Sequence, residues 1–167
     1  MVEGTIERRR KPRPRPALIE VGQARLLLLA IAVWVCFWDL IVKLAEPTKS
    51  GFYHKRTGAE LAIILAITFT LAYVAPLIRS RMIVAGAGLM VGGGLGNGLS
   101  IVIFPQGVPN PFMISHGDWT IALNLADISV ALGFALATIA VLRFASDMRG
   151  ELRYPIERRA TSARPPD

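Results

Sequence analysis

The sequence predicts an all-α membrane protein with four transmembrane helices, and three observations support this prediction. More than half of the 167 residues are apolar and the mean hydropathy is positive, which is unusual for a soluble domain of this size. The apolar residues form four long stretches, at about 24–45, 60–79, 82–104 and 121–143. Each has the roughly 20 residues that a helix needs to cross a hydrocarbon core of about 30 Å. The runs are continuous and do not alternate with polar residues, which excludes a transmembrane β-barrel.

These stretches divide the chain into three parts. Residues 24–146 form the predicted transmembrane domain. Residues 1–23 are rich in arginine and proline and cannot bury a core, so we expect a disordered or extended tail near anionic head groups. The tail from residue 147 has the same character. The first stretch is too long for a cleaved signal peptide, lacks a small-x-small cleavage site and is followed by three further spans, so we expect it to stay in the membrane.

The positions of the basic residues predict the orientation in a bacterial inner membrane. Lysine and arginine accumulate in cytoplasmic loops. Here they cluster in both tails and in the turn at Arg79 and Arg81, whereas the loop at 46–59 has three and the loop at 105–120 has none. Both termini are therefore predicted to be cytoplasmic (N-in, C-in), with outer loops between helices 1 and 2 and between helices 3 and 4. The net charge of +7 would also fit nucleic-acid binding. The concentration of basic residues on one predicted side of the membrane instead favours a membrane protein with no nucleic-acid partner.

The cysteine and the glycines of the spans are interpreted as helix-packing residues, and the histidines do not indicate a cofactor. Cys36 lies in mid-span and is interpreted as a packing residue. Glycines recur every fourth residue of the third span and leave bare patches where a neighbouring helix can approach closely; these are Gly88, Gly92 and Gly96. The two histidines, His54 and His116, lie in separate outer loops, so we expect neither a metal site nor a cofactor.

Polar side chains inside the spans are the best functional indicators, because an ionisable group in lipid costs on the order of a few kcal/mol. Six of them fall in the outer half of the predicted bundle, in three pairs whose spacing puts both members on one helix face. The pairs are Asp39 with Lys43, Asn97 with Ser100, and Asn124 with Asp127. We expect all six at one depth, facing the outer loops. For the first pair the simplest interpretation is a structural ion pair that neutralises itself.

Four motifs in order within residues 24–143 resemble those of one known family. The segment 39–43 has the form Asp-x-x-x-Lys, and 56–59 is Arg-Thr-Gly-Ala, similar to Asn-Thr-Gly-Ala. The segment 93–101, Gly-Gly-Leu-Gly-Asn-Gly-Leu-Ser-Ile, is a shifted version of Gly-Gly-Ala-Leu-Gly-Asn-x-x-Asp-Arg. Residues 124–127 have the form Asn-x-Ala-Asp. Together they resemble the lipoprotein signal peptidase family, signal peptidase II, which are four-helix membrane aspartic peptidases.

The resemblance implies an aspartic endopeptidase that removes the signal peptide from a lipid-modified bacterial prolipoprotein. Such catalysis needs two carboxylates, one ionised and one protonated, that activate a shared water. The motif match assigns one of them to Asp127. The family's second aspartate lies in a Val-Val-Asp-Phe stretch, for which the best match is Pro-Asn-Pro-Phe at 109–112, with Pro111 in place of the acid. Asp118 is the remaining carboxylate of this loop and the candidate partner.

The resemblance also implies roles for the other intramembrane and loop residues. Asn97, Asn124, Ser100 and Arg56 would bind or orient the substrate, and Asp39 and Lys43 would brace the first helix. The expected partners are a prolipoprotein signal peptide or another lipid-modified peptide, and membrane lipid.

Two other functions stay open. The departures at Pro111, Ser100 and Arg56 favour an inactive pseudo-peptidase on the same fold that binds a lipoprotein, a lipid or a membrane partner. A small transporter subunit would explain the intramembrane charges without any family. A serine triad of Ser115, His116 and Asp118 is not expected, because three neighbours in a loop rarely meet with triad geometry.

Overall fold

Four helices make up most of the chain. The structure, a computed structural model, describes the backbone of residues 18–162 and the side chains of residues 18–148. The helices are α1 (Val21–Ala45), α2 (Gly58–Ile78), α3 (Arg81–Ile103) and α4 (Leu125–Ser162). The first three, and the Leu125–Met148 part of α4, are each long and apolar enough to cross a membrane. The predicted four-helix membrane fold is confirmed, while most of the predicted N-terminal tail lies outside the described residues.

Helix α3 lies at the centre of the bundle and packs against the other three helices. Its glycines allow this close approach. A Cβ at Gly92 would lie 2.7 Å from the carbonyl oxygen of Ala32 in α1, and one at Gly93 would lie 2.6 Å from that of Ala126 in α4. Gly88 and Gly96 also face α1, as their spacing with Gly92 predicted. Helix α3 is therefore the most buried span, and the other helices expose apolar side chains on the outer surface of the bundle.

Substituting Gly93 by alanine is expected to destabilise the bundle by about 1–3 kcal/mol, because the added methyl group meets backbone atoms that cannot turn away. Gly98→Ala is the matched control. It lies on the same helix, and its added Cβ would have no atom of another helix or loop within 4 Å. Alanine favours helix there. Thermal unfolding in detergent should show a lower midpoint for Gly93→Ala alone. Equal midpoints for the two variants would contradict this packing.

The antiparallel helices bring both described chain ends to one end of the bundle, called the arginine end because it contains the turn at Arg79. The backbone N–H of Ile19 donates to the carbonyl of Arg79 at 3.0 Å, and Arg79 Nε donates to the carbonyl of Ile19 at 2.9 Å. Arg143 Nη1 of α4 contacts Met82 Sδ of α3 at 3.6 Å. The opposite end, where α1 and α3 end and α2 and α4 begin, is called the loop end.

The loops at the loop end form short strands, which the sequence did not predict. Strand β1 (Tyr53–His54) pairs antiparallel with β2 (Val108–Pro109), so the two loops are joined. Strands β3 (Phe112–His116) and β4 (Trp119–Leu123) form a separate hairpin. Its turn has Gly117 at φ 56°, a conformation that glycine adopts readily in two-residue hairpins.

Two predicted boundaries of the fourth helix were wrong. The span was expected from residue 121, but residues 121–123 belong to β4 and the helix begins at Leu125. The apolar run of β4 continues into the helix, so hydropathy alone does not separate them. The tail from residue 147 was expected to lack regular structure, but α4 continues to Ser162. Extending an existing helix avoids the cost of nucleating a new one.

Candidate functional site

Lys43 is the centre of a buried polar network at the loop end. It lies on the last turn of α1, one turn after Asp39, and the side chains of both are fully buried. Lys43 Nζ donates to Asp39 Oδ2 at 2.6 Å, to Asn97 Oδ1 at 2.9 Å and to Ser100 Oγ at 3.0 Å. An ammonium group has three donors, so this lysine is fully satisfied by α1 and α3.

Asp39 joins the network to the start of α4. Its second oxygen, Oδ1, accepts the backbone N–H of Ala126 at 2.8 Å. A carboxylate is stabilised at a helix N-terminus by the unpaired N–H groups and the helix dipole. Gly96 of α3 leaves space for the Asp39 side chain, because a Cβ at position 96 would lie 2.5 Å from Asp39 Oδ2. Both oxygens of Asp39 are thus engaged, which is the geometry of a structural brace.

Asp127 is the second carboxylate of the network, and it is half-buried. Its Oδ1 accepts Asn97 Nδ2 at 3.0 Å and its Oδ2 accepts the backbone N–H of Asn124 at 3.2 Å. Asn124 Oδ1 in turn accepts the N–H of Asp127 at 3.0 Å. This reciprocal pair caps α4, so the Asn-x-Ala-Asp motif both starts the helix and fixes the aspartate. Within the described residues no cation forms an ion pair with Asp127.

Asn110 belongs to the site, although no sequence motif indicated this role. Asn124 Nδ2 donates to Asn110 Oδ1 at 2.6 Å. The backbone N–H of Asn110 donates to the carbonyl of Phe52 at 3.2 Å, next to the β1–β2 pair, which fixes its position. Pro111 was matched to the family's second aspartate, but its neighbour Asn110 presents the polar side chain. An asparagine between two prolines is typical of a turn, and this pattern concealed its role.

Asp118 lies away from Asp127. It is an exposed residue in the turn of the β3–β4 hairpin. The paired strands have five residues each, and at about 3.3 Å per residue the turn is roughly 15 Å from the hairpin base. Asn124 and Asp127 follow that base directly. The structure therefore does not bring the predicted partner carboxylate to the site.

The hairpin does not form a serine triad either. Ser115 and His116 are consecutive in β3, so they point to opposite faces. Ser115 Oγ lies 2.9 Å from Thr120 Oγ1, and the His116 ring packs against Trp119 with centroids 5.7 Å apart.

Arg56 is half-buried just before α2 and makes no hydrogen bond to the network. The Arg-Thr-Gly-Ala motif that contains it starts a helix. Thr57 Oγ1 accepts the N–H of Glu60 at 3.2 Å, and Glu60 Oε2 accepts the N–H of Thr57 at 2.8 Å, which is a capping box. Part of the resemblance to the family motif therefore has a local structural cause.

Among the residues whose side chains the structure describes, the network forms one site and has no hydrogen-bonded member further along the bundle axis. Its members lie on the last two turns of α1 and α3, on the first turn of α4 and in the adjoining loop. A transport pathway would require polar groups spaced across the membrane. The arrangement instead fits a binding or catalytic site at one membrane surface, where Asp127 is the accessible charged group.

The fold is similar to that of a solved bacterial membrane enzyme, determined by the in meso method at 2.3 Å resolution. The TM-score is 0.58 at 20% sequence identity, and the match covers 80% of this chain and 96% of that chain. No protein-family model matches the chain. No curated protein matches its sequence. This chain is thus a multi-pass membrane protein with the fold of a bacterial membrane enzyme.

Proposed function

We propose that this protein is an inactive relative of signal peptidase II that binds a lipid-modified signal peptide at the loop end without cleaving it. The proposal rests on the identity of the side chain that contacts Asn124, which is Asn110. Asn124 holds Asp127 through two hydrogen bonds and contacts Asn110 through a third. The side chain that Asn124 contacts besides the retained aspartate is therefore an amide, that of Asn110.

An amide at this position removes the acid–base chemistry of an aspartic peptidase. Two carboxylates close together share one proton, so that one acts as a base while the other acts as an acid. An asparagine side chain has nearly the same shape as an aspartate but does not ionise. Asp39 is not a substitute, because Lys43 and the N–H of Ala126 occupy its oxygens.

The retained groups are suited to holding a peptide. The two oxygens of Asp127 accept hydrogen bonds from α3 and from the residue just before α4. A carboxylate oxygen has a second lone pair for a peptide N–H. Its half-buried position reduces competition from water. The surrounding helices expose apolar side chains over most of their length, which suits a ligand that carries acyl chains.

Binding of a diacylglyceryl-modified prolipoprotein segment to the protein in nanodiscs tests the proposal. We expect Asp127→Asn to weaken binding by roughly tenfold or more, since a hydrogen bond to a charged group contributes about 1.5–3 kcal/mol. Asp118→Asn, at the exposed hairpin turn, is the matched control and should bind like the wild type. Equal affinities for Asp127→Asn and the wild type, or no binding by the folded wild type, would refute the proposal.

The second candidate is an active peptidase, and the membrane enzyme with the same fold favours it. It requires a second carboxylate beside Asp127. Asp118 would have to reach the site by folding of the hairpin over the bundle. In that case Asp118→Asn and Asp127→Asn would each abolish cleavage. For a pseudo-peptidase, neither variant nor the wild type would cleave the substrate.

A further inference from the structure

The β3–β4 hairpin has one apolar face and one face of mixed polarity, on which Met113 is exposed. Paired residues of an antiparallel ladder share a face, and successive residues alternate between faces. One face therefore contains the pairs Phe112 with Leu123, Ile114 with Ile121, and His116 with Trp119. The opposite face contains Met113 with Ala122 and Ser115 with Thr120. Neither strand contains an aspartate, glutamate, lysine or arginine.

The apolar face is uncovered within the described part of the chain. Ile114 is 57% exposed, Trp119 is 51% exposed and Ile121 is 47% exposed. The substantial contacts of β3 and β4 are those between the two strands themselves. A two-stranded hairpin alone is marginally stable in water, so an ordered hairpin with this face needs an apolar surface to lie against.

The nearest apolar surface is the lipid surface that surrounds the helices. Only Asn124 separates β4 from the first turn of the membrane-spanning α4, so the hairpin base is at the membrane boundary. The end of α3, at the same end of the bundle, exposes Val102 at 83% and Ile103 at 47%. The apolar face of the hairpin begins at this level with Phe112 and Leu123.

We propose that the hairpin is a membrane anchor, whose apolar face lies in the boundary between head groups and acyl chains of the leaflet at the loop end. The aromatic pair at the hairpin turn supports lipid as the occupant, because tryptophan is enriched at this boundary. The absence of charged residues from both strands removes the main cost of insertion. This anchoring does not depend on the proposed peptide binding.

Tryptophan fluorescence in lipid bilayers tests the anchor directly. The chain has three tryptophans, so the Trp34→Phe/Trp38→Phe variant reports on Trp119 alone. In nanodiscs of phosphatidylcholine brominated near the head group, we expect strong quenching of Trp119 without any peptide present. Lipids brominated near the chain ends should quench it much less. Emission that brominated lipid does not quench, or that shifts only when a lipid-modified peptide is added, would overturn the proposal.

Two neighbouring substitutions on opposite faces of β4 give the matched comparison. In the background with Trp119 alone, Ile121→Asp places a charge on the apolar face and should abolish the quenching. Thr120→Asp places the same charge on the opposite face and should preserve it. Circular dichroism checks that both variants retain their helices. Quenching that is equally strong in both variants would show that the face does not contact lipid.

Discussion

Replacing Lys43 with methionine is expected to destabilise the bundle by about 3–5 kcal/mol, the usual cost of removing one partner of a buried ion pair. Asp39 would be left fully buried with no cation. Asn97 Oδ1 and Ser100 Oγ would each lose a donor at the same time. Chemical unfolding in detergent micelles, followed by circular dichroism, measures the difference from the wild type.

Two further variants distinguish the cost of leaving the Asp39 charge unpaired from the cost of removing a lysine side chain. Asp39→Asn/Lys43→Met removes both charges and keeps an acceptor for the N–H of Ala126, so it should recover most of the lost stability. Lys49→Met removes an exposed loop lysine and should have almost no effect. If the double variant unfolds as easily as Lys43→Met alone, the cost does not come from an uncompensated Asp39 charge.

Substituting Asn110 by aspartate is expected to give the protein a peptidase activity that the wild type lacks. The new carboxylate would occupy the place of Asn110 Oδ1, 2.6 Å from Asn124 Nδ2. Asn124 is also the residue that holds Asp127. We expect this carboxylate and Asp127, which both contact Asn124, to share a proton and polarise a water. General acid–base catalysis contributes about 10²–10⁴-fold, so cleavage of a diacylglyceryl-modified prolipoprotein should rise clearly above background.

The double variant Asn110→Asp/Asp127→Asn is the control for this gain. It keeps the new carboxylate and removes the old one, so activity should return to background. Asn110→Asp/Asp118→Asn should stay as active as Asn110→Asp alone. A folded Asn110→Asp protein that binds the substrate and still does not cut it would show that Asn110 does not stand where the second carboxylate belongs.

The sequence predicted the helices well because the membrane imposes a simple requirement. Every spanning segment needs an apolar stretch of sufficient length, and hydropathy measures this property directly. The polar cluster was predictable for the same reason. Asp39, Lys43, Asn97 and Asp127 stand out against an apolar background, and helix periodicity gives their common face and depth. The structure brings these residues into one hydrogen-bonded network.

The loop end was much less predictable, because its structure depends on pairing between distant segments. Asn110 reaches the site through the contact of its backbone with Phe52, which no local pattern indicates. The predicted fourth helix wrongly included part of strand β4, because the apolar residues of β4 lead almost directly into those of α4. The position of Asp118 followed from the hairpin register, whereas loop length alone allowed it to fold back over Asp127.

The most direct test of the central claim follows binding and cleavage in one sample of the wild-type protein. Purified protein in nanodiscs is mixed with a diacylglyceryl-modified prolipoprotein, and the bound and released fragments are quantified by mass spectrometry. We expect a bound and intact prolipoprotein. Release of the signal peptide by the wild type, abolished by Asp127→Asn, would contradict it and identify the protein as a working peptidase.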